Sequence, residues 1–292
     1  MVVWQYFFPA TPLAQEEKQE EAGEVNKPIE EIKQAKIIPA LNLPSNYIVE
    51  TTKSTRVFFE NEKIKGSINP VGLKLDNLTL KNYVGGFDLL NPSESKNIYF
   101  AQFGFASSEE GIVMPNNQTV WGLKKTDNTI KALFTNPQNI TFEVTFKLDE
   151  NYMFDVEQKV YNLSGKGVKI SSFVRIFRAE GEGLENTFIS HEGFIGAGDN
   201  KLNEFKYSKI KDVKGLFFPM QSEIVWAGFV DKYWLTAFFY PDTACSASCS
   251  FIKSDISFNS IKEGMTDKFQ SDLITEEVNI ASGSSLYFPF KF

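Results

Sequence analysis

The feature of this chain that most constrains its fold is a period-two alternation of apolar and polar residues. Between Ile140 and Leu148, five apolar residues alternate with four polar ones, which places one face of a strand on a core and the other in water. Asp149–Asn151 then supplies turn residues. The alternation resumes at Phe154 and continues to Val160, so this segment predicts an antiparallel hairpin.

The same period recurs elsewhere and once changes phase. The leucines at 73 and 75 alternate in one phase and those at 78 and 80 in the other, so the slip at Asp76–Asn77 predicts a bulge or a tight bend. Residues 286–292 alternate again, and Pro289 lacks a backbone donor, which predicts a strand at an edge or end of its sheet. The nearly all-apolar run Tyr233–Tyr240 fits a strand that is covered on both faces.

Helix signals are few. Tyr207–Val213 could form a turn or two, and Asn259–Phe269 is ambiguous because Gly264 opposes a long helix. The pattern therefore predicts an all-β fold, a large antiparallel β-sandwich with few short helices. A length of 292 residues with 42% hydrophobic and 14% aromatic residues is enough for one large core. The net charge of −7 argues against a nucleic-acid binder, which would need a basic stripe.

The first 45 residues differ in composition from the rest. Met1–Phe8 is apolar and aromatic, and from the residues alone it is the outer end of a membrane helix, a short buried strand or an unfolded start. No run of about 20 apolar residues occurs, so no complete membrane helix is predicted. Residues 10–36 are rich in glutamate and lack aromatics, which predicts a linker. We expect a remnant at 1–8, a flexible acidic linker at 9–45 and a folded domain at 46–292.

Two short motifs combine groups that could act as acid and base. His191, the single histidine, precedes Glu192 and Gly193; it is either a general base oriented by the carboxylate or a histidine bonded to backbone beside a glycine turn. Asp231 and Lys232 are either an acid–base pair or residues of a hairpin turn, with Asp231 bonding turn amides and Lys232 exposed. We favour the structural interpretation of both motifs.

Two further clusters suit metal or redox chemistry less well than structural roles. Glu180, Glu182 and Glu185 lie among glycines and fit a mobile loop better than a cation site or a carboxylate cluster that acts on a glycosidic bond. Cys245 and Cys249 are four residues apart, and an extended segment would separate them by about 13 Å, beyond the reach of a disulfide, whereas a loop could bring them together. We expect unbridged thiols, and with one histidine the chain offers a poor zinc set.

Five stretches, in order over residues 66–237, together resemble the large periplasmic domain of YidC-type membrane protein insertases. The last of them places Asp231 and Lys232 between two apolar runs with a tryptophan near each end. The stretches are Gly66–Ile68 with Gly72–Tyr83, Tyr99–Phe105 with Val120–Trp121, Asp149–Phe154 with Val160–Asn162, Ser190–Gly196 and Trp226–Ala237. The motif residues within them, which we expect to be structural, are Gly66, Asp76, Leu78, Tyr83, Phe103, Gly104, Trp121, Tyr152, Phe154, Asn162, His191, Glu192, Gly193, Gly196, Trp226, Asp231, Lys232, Tyr233 and Trp234.

The resemblance implies a β-super-sandwich like that of galactose mutarotases, and it identifies Met1–Phe8 as the end of a first membrane helix. It implies a bacterial inner-membrane insertase that assists insertion and folding of membrane proteins, alone or with the Sec translocon. This domain, with residues 9–292 in the periplasm, would be a scaffold or partner-docking module. It would be no enzyme and would need no cofactor or metal.

The partners that the resemblance implies are membrane proteins under insertion, the Sec translocon with its accessory subunits, and the bilayer through the N-terminal helix; no nucleic acid is expected. The alternative is a sugar-binding or sugar-active, mutarotase-like periplasmic protein. A single histidine weighs against that alternative, because such catalysis needs converging acid and base groups. We further expect Trp226, Tyr233 and Trp234 to be core residues.

Overall fold

The computed structural model describes residues 56–179, 191–213, 215–218, 220, 225–231, 233–240, 253–263 and 266–292. Within these ranges the chain forms nineteen strands and one short helix. Their bounds in chain order are β1 (Val57–Glu60), β2 (Ile64–Asn69), β3 (Lys74–Leu80), β4 (Phe87–Leu90), β5 (Tyr99–Ala106), β6 (Gly122–Thr126), β7 (Thr129–Thr135), β8 (Ile140–Leu148), β9 (Phe154–Asn162), β10 (Val168–Ala179), β11 (Gly193–Gly198), β12 (Lys201–Lys206), α1 (Tyr207–Val213), β13 (Gly215–Phe218), β14 (Val225–Val230), β15 (Leu235–Tyr240), β16 (Ser254–Glu263), β17 (Thr266–Thr275), β18 (Val278–Ile280) and β19 (Ser285–Lys291).

The strands form two antiparallel sheets. A ten-stranded sheet has the order β1-β2-β3-β5-β10-β17-β16-β13, with β4 added beside β3 and β18 beside β10. A nine-stranded sheet has the order β12-β11-β14-β15-β19-β9-β8-β7-β6. The large antiparallel sandwich predicted from the alternation is therefore confirmed.

The core lies between the inner faces of the two sheets. On β5 of the ten-stranded sheet, Phe103 is buried and its ring packs edge-on against two rings of the nine-stranded sheet, Phe146 at 4.7 Å and Phe238 at 5.4 Å between centroids. Burial of one such side chain contributes about 1.5–3 kcal/mol. On the same strand, Phe100 belongs to a separate small cluster with Phe177 on the opposite face of the sheet.

Three local predictions are confirmed. β8 and β9 form the predicted hairpin, and the Asp149 carboxylate accepts hydrogen bonds from the amides of Asn151 (2.7 Å) and Met153 (3.0 Å) in its turn. The pairing of β2 with β3 passes from Asn77 to Leu75 and leaves Asp76 out of register, which is the predicted bulge. The helix α1 spans the predicted Tyr207–Val213.

Two expectations need correction, and one segment that the sequence left ambiguous is now assigned. The ambiguous segment Asn259–Phe269 is part of the β16–β17 hairpin, since both halves pair over ten residues. The terminal strand β19 is not at an edge: it lies between β9 and β15, although its β15 side pairs only through Lys291 with Phe239, away from Pro289. The apolar run that begins at Tyr233 enters a strand only at Leu235, which is itself half exposed.

Several predictions lie outside the described residues. These are the remnant at 1–8, the linker and the domain start near residue 46, the glutamate cluster at 180–185, the side chain of Lys232, and the pair Cys245 and Cys249. Among the residues that are described, no helix is both long and apolar enough to cross a membrane.

Candidate functional site

The β14–β15 hairpin is the part of the fold around which the sequence motifs gather. Gly228 is required in β14, because a Cβ there would lie 1.9 Å from the carbonyl oxygen of Thr236 on β15. Across the same pair of strands the rings of Trp226 and Phe239 stack at 5.8 Å. The turn is closed by the amide of Asp231, which donates to the carbonyl of Trp234 at 2.8 Å. The predicted turn is thus confirmed.

The carboxylate of Asp231 faces the interior of the sandwich. Nη1 of Arg178, on β10 of the opposite sheet, donates to Asp231 Oδ1 at 2.5 Å, with the two side chains 10% and 17% exposed. The guanidinium also lies over the rings of Tyr99 (4.7 Å) and Tyr207 (5.4 Å). The sequence motif suggested that Asp231 serves turn amides; the structure instead gives it a buried arginine as partner.

Both tyrosines of this cluster are neutral phenols. Burial raises the pKa of Tyr99 and of Tyr207 well above the ordinary range, so neither is available as a base near neutral pH. The hydroxyl of Tyr207 is buried and has no hydrogen-bond partner among the described residues. We call Arg178, Asp231, Tyr99 and Tyr207 the arginine centre.

His191 and Glu192 lie at the margin of the arginine centre. His191 Nε2 donates to the carbonyl oxygen of Phe194 at 3.0 Å, the backbone bond that we favoured from the sequence. Burial, followed by repulsion from Asp231, raises the pKa of the Glu192 carboxyl, while Arg178 opposes the shift. Glu192 is therefore coupled electrostatically to Asp231, which the sequence did not indicate.

The motif glycines Gly66, Gly104, Gly193 and Gly196 are positions of close packing. A Cβ at Gly104 would lie 2.4 Å from Cζ of Phe173, and one at Gly66 would lie 2.2 Å from a carbonyl oxygen of β3. Gly193 has φ of +142° and faces a β12 carbonyl at 2.4 Å from the ideal Cβ position. Their structural role is what the motif led us to expect.

Other motif residues are structural as well. Trp121 and Phe154 are buried, and the Phe154 ring packs edge-on against Phe59 at 5.0 Å. Asn162 donates to the carbonyls of Lys166 (2.7 Å) and Ile280 (2.8 Å), tying β9 to β18.

An apolar groove lies next to Trp234 and the strand β15 of the β14–β15 hairpin. Its volume is about 340 Å³, at the lower end of the range for ligand sites. Trp234 forms one wall, with its ring stacked on Phe87 at 4.7 Å and meeting Tyr83 edge-on at 4.6 Å. The lining residues, nearly all apolar, are Ile64, Leu78, Leu80, Tyr83, Leu89, Tyr152, Met153, Trp234, Leu235, Thr236, Ala237, Phe239 and Phe292.

The groove brings together four motif residues from three separate stretches of the sequence, namely Leu78, Tyr83, Tyr152 and Trp234. The expectation that Trp226, Tyr233 and Trp234 are core residues is wrong for Tyr233, which is 74% exposed, and the other two are only partly buried. The reason is that Tyr233 and Trp234 lie between β14 and β15, and β15 begins only at Leu235. Aromatic content predicted burial here, but the residues form the mouth of a groove.

A row of polar side chains crosses the outer face of the ten-stranded sheet and was not predicted from the sequence. Successive cross-strand partners are Asn69, Lys74, Gln102, Arg175, Asp272 and Ser257. Arg175 Nε donates to Asp272 Oδ1 at 2.7 Å with both side chains 2% exposed, and Gln270 Nε2 donates to Asp272 Oδ2 at 2.7 Å. Burial lowers the pKa of Lys74, whose Nζ donates to Ser93 Oγ at 3.1 Å.

This row is a structural network more than an open reaction centre. The sequence signals for it were the polar and charged residues within these strands, among them Arg175 between Val174 and Ile176. No group of three or more potential metal ligands lies together in the described part of the chain.

Comparison with known proteins identifies relatives of the whole domain. The model of the YidC periplasmic domain family matches residues 56–292. The membrane protein insertase YidC of Rickettsia massiliae (strain Mtu5) is 32% identical over 295 residues, which cover 97% of this chain and 50% of the relative. That of Rickettsia prowazekii (strain Madrid E) is 31% identical over 296 residues with the same coverage. The chain thus spans about half the length of the curated relatives it matches.

A comparison of folds gives a different kind of neighbour. A galactose mutarotase related enzyme from Lactobacillus acidophilus superposes with a TM-score of 0.54, covering 81% of this chain and 96% of that one, at 10% sequence identity. At that identity the likeness concerns the fold alone, and it confirms the predicted mutarotase-like sandwich.

Proposed function

The chain belongs to the YidC periplasmic domain family, and from that premise we propose that it is the periplasmic domain of an inner-membrane protein insertase. The whole protein would assist insertion and folding of membrane proteins, alone or with the Sec translocon. In this proposal residues 9–292 lie in the periplasm. The support is the match of the family model to residues 56–292 and the name that the relatives carry.

Within that protein, we propose that this domain docks polypeptide partners and is not a catalyst. The observation that carries this proposal is the apolar groove beside the β14–β15 hairpin. A groove of about 340 Å³ accepts two or three apolar side chains of an extended or helical segment, as many peptide-recognition grooves do. Its aromatic rim, with Tyr83, Tyr152 and Trp234, is of the composition typical of binding hot spots.

The residues that could have served acid–base chemistry support this interpretation. Asp231 is engaged by Arg178 inside the sandwich, and His191 donates to a backbone carbonyl. A mutarotase-like reaction needs a free base and a free acid converging on one substrate. We therefore favour the docking role over the sugar-active alternative, for which the likeness of fold is the only support.

The partners we propose are segments of membrane proteins under insertion and the periplasmic parts of Sec accessory subunits. Attachment to the membrane would keep the local concentration of such partners high, so weak binding would suffice. An interface limited to this groove would be small, below about 1,200 Å², as is common for transient encounters.

Site-specific photo-cross-linking in cells tests the docking role. A photoreactive amino acid at Met153 or Phe292, both in the groove, should give adducts with membrane proteins or Sec subunits in cells that depend on the full-length protein. The same probe at Leu202, exposed on the edge strand β12, is the matched control and should give none. Groove probes that capture no polypeptide while the cells grow would contradict docking and favour a passive scaffold.

A substitution that fills the groove provides the second test. Ala237 is a small residue of the lining, and Ala237→Leu should weaken the cross-links from Met153 while the melting temperature shows that the domain still folds. Unchanged cross-links from a folded variant would mean that partners bind elsewhere.

A further inference from the structure

Six of the thirteen large apolar side chains that are exposed among the described residues lie around the mouth of the groove. They lie on the β3–β4, β8–β9 and β14–β15 turns or on the strand ends next to them. Val84 is fully exposed, and Tyr233 is 74% and Leu235 50% exposed. The set, which we call the tip patch, is Tyr83, Val84, Phe87, Tyr152, Tyr233 and Leu235.

The tip patch is convex where it protrudes most. Val84 precedes Gly85 and Gly86, which have φ of +81° and +78°, and a Cβ at Gly85 would meet nothing within 4 Å. The loop therefore projects a valine away from the body of the domain. Large apolar side chains at turn tips lower the solubility of a domain and fill no space in its core. Such an exposed surface is therefore available to a partner outside the domain.

Charged side chains of both signs surround the tip patch. The carboxylate of Asp231 points inward to Arg178, and that of Asp149 bonds the amides of its own turn. Lysines remain at the rim: Lys63 lies over the Tyr152 ring at 5.2 Å, and Lys81 pairs sideways with Glu60 at 2.6 Å. Exposed carboxylates lie among them: Glu62 next to Lys63, Asp88 next to Phe87, and Glu150 in the β8–β9 turn. Beside the Tyr152 ring the rim presents the ammonium group of Lys63.

We propose that the tip patch inserts into the headgroup layer of a lipid bilayer. Tyrosine and tryptophan rings prefer the membrane–water interface, and lysines extend along apolar surface to reach phosphates. Several separate turn tips around one opening can contact a planar layer together. A single polypeptide would instead bind in the concave groove. The proposal rests on the proposed function in one respect, since a bilayer must lie within reach of the domain.

Binding of the 292-residue chain to vesicles tests the proposal. The vesicles contain phosphatidylethanolamine with phosphatidylglycerol as the anionic lipid, and the bound fraction is measured by flotation. Val84→Asp should weaken binding about tenfold, because it replaces valine surface that the bilayer would bury with a charge that anionic lipid repels. The matched control is Leu163→Asp: Leu163 is 55% exposed and follows β9, whose nine residues separate it from Tyr152 by about 30 Å.

The control should bind as the unaltered chain does, and Met1–Phe8 is present in every variant. Equal binding by the Val84→Asp and Leu163→Asp variants would overturn the proposal. A photoreactive amino acid at position 84 in the full-length protein gives an independent readout. Adducts with lipid support the proposal, whereas adducts with protein alone would show a polypeptide site instead. Groove cross-links from Met153 are scored separately, so failure here leaves the docking role standing.

Discussion

Removing the carboxylate of Asp231 isolates the contribution of the arginine centre. The Arg178 side chain is only 10% exposed, and its Nη1 lies 2.5 Å from Oδ1 of Asp231. In the Asp231→Ala variant, Arg178 keeps its charge in this shielded position but loses that oxygen. Loss of one partner of a buried ion pair costs about 3–5 kcal/mol. Since Asp231 is itself 17% exposed, we expect the lower end, about 3 kcal/mol of unfolding free energy.

The measurement is urea unfolding at neutral pH, followed by tryptophan fluorescence. A cost of about 3 kcal/mol corresponds to a fall in melting temperature of about 6–12 °C for a domain of this size. The matched control is Asp155→Ala, which removes a surface pair with Lys291 whose side chains are 47% and 56% exposed. Exposed pairs contribute at most about 1 kcal/mol, so this variant should unfold almost as the parent does.

A double variant separates the lost pair from the lost burial. Arg178→Met combined with Asp231→Ala removes the uncompensated charge, so the double variant should regain most of the unfolding free energy that Asp231→Ala loses. If Asp231→Ala costs no more than the Asp155→Ala control, or if the two changes at 178 and 231 simply add, the account of a buried and coupled charge pair is wrong.

The remaining predictions concern three other positions. Gly104→Ala should cost about 1–3 kcal/mol by overpacking, because its Cβ would lie 2.4 Å from Phe173, and Phe173→Leu should restore part of that loss in the double variant; equal unfolding of the single and double variants would contradict the clash. Glu192→Gln should stabilise the domain at neutral pH and not below pH 4.5. Because the pKa of Glu192 is raised in the folded state, the folded state holds this proton to a higher pH than the unfolded state does, so the stability of the parent falls as pH rises from about 4.5 through the folded pKa. Unfolding curves at both pH values measure this. Asp272→Ala should destabilise by about 3–5 kcal/mol by leaving Arg175 buried and unpaired, and a loss below that of an exposed pair would refute it.

The period-two alternation was sufficient to predict strands that place one face on the core and the other in water. The β8–β9 hairpin, the bulge at Asp76 and the short helix α1 all follow from local patterns and turn chemistry. The segment Asn259–Phe269 was ambiguous because Gly264 opposes a long helix, while Ser260 and Lys262 break the apolar period that Ile256 and Phe258 begin. Local patterns also could not assign β19 to the interior of a sheet, which depends on pairing with distant β9.

The candidate sites show the limit of sequence reasoning more clearly. Asp231 and Arg178 are 53 positions apart and lie on opposite sheets, so their pairing depends on the packing of the two layers. The polar row likewise exists only through the register of six strands, in which Gln102, Arg175 and Asp272 become neighbours. The exposure of Tyr233 could not be predicted, because an aromatic residue in an apolar run fits a strand and a turn equally well until the turn is located.

The turn between β14 and β15 links the stability of the domain to both proposed surfaces. Asp231 bonds Arg178 in the interior, its amide bonds the carbonyl of Trp234, and the Trp234 ring forms a wall of the groove against Phe87. Tyr233, between them in the same turn, belongs to the tip patch. The arginine centre therefore fixes the position of the groove wall and of one tip. Loss of the Asp231 carboxylate should release the turn, so cross-links from the groove should weaken in Asp231→Ala even where the domain remains folded. In Asp231→Asn the side-chain carbonyl oxygen can still accept the hydrogen bond from Arg178, so the cross-links should return.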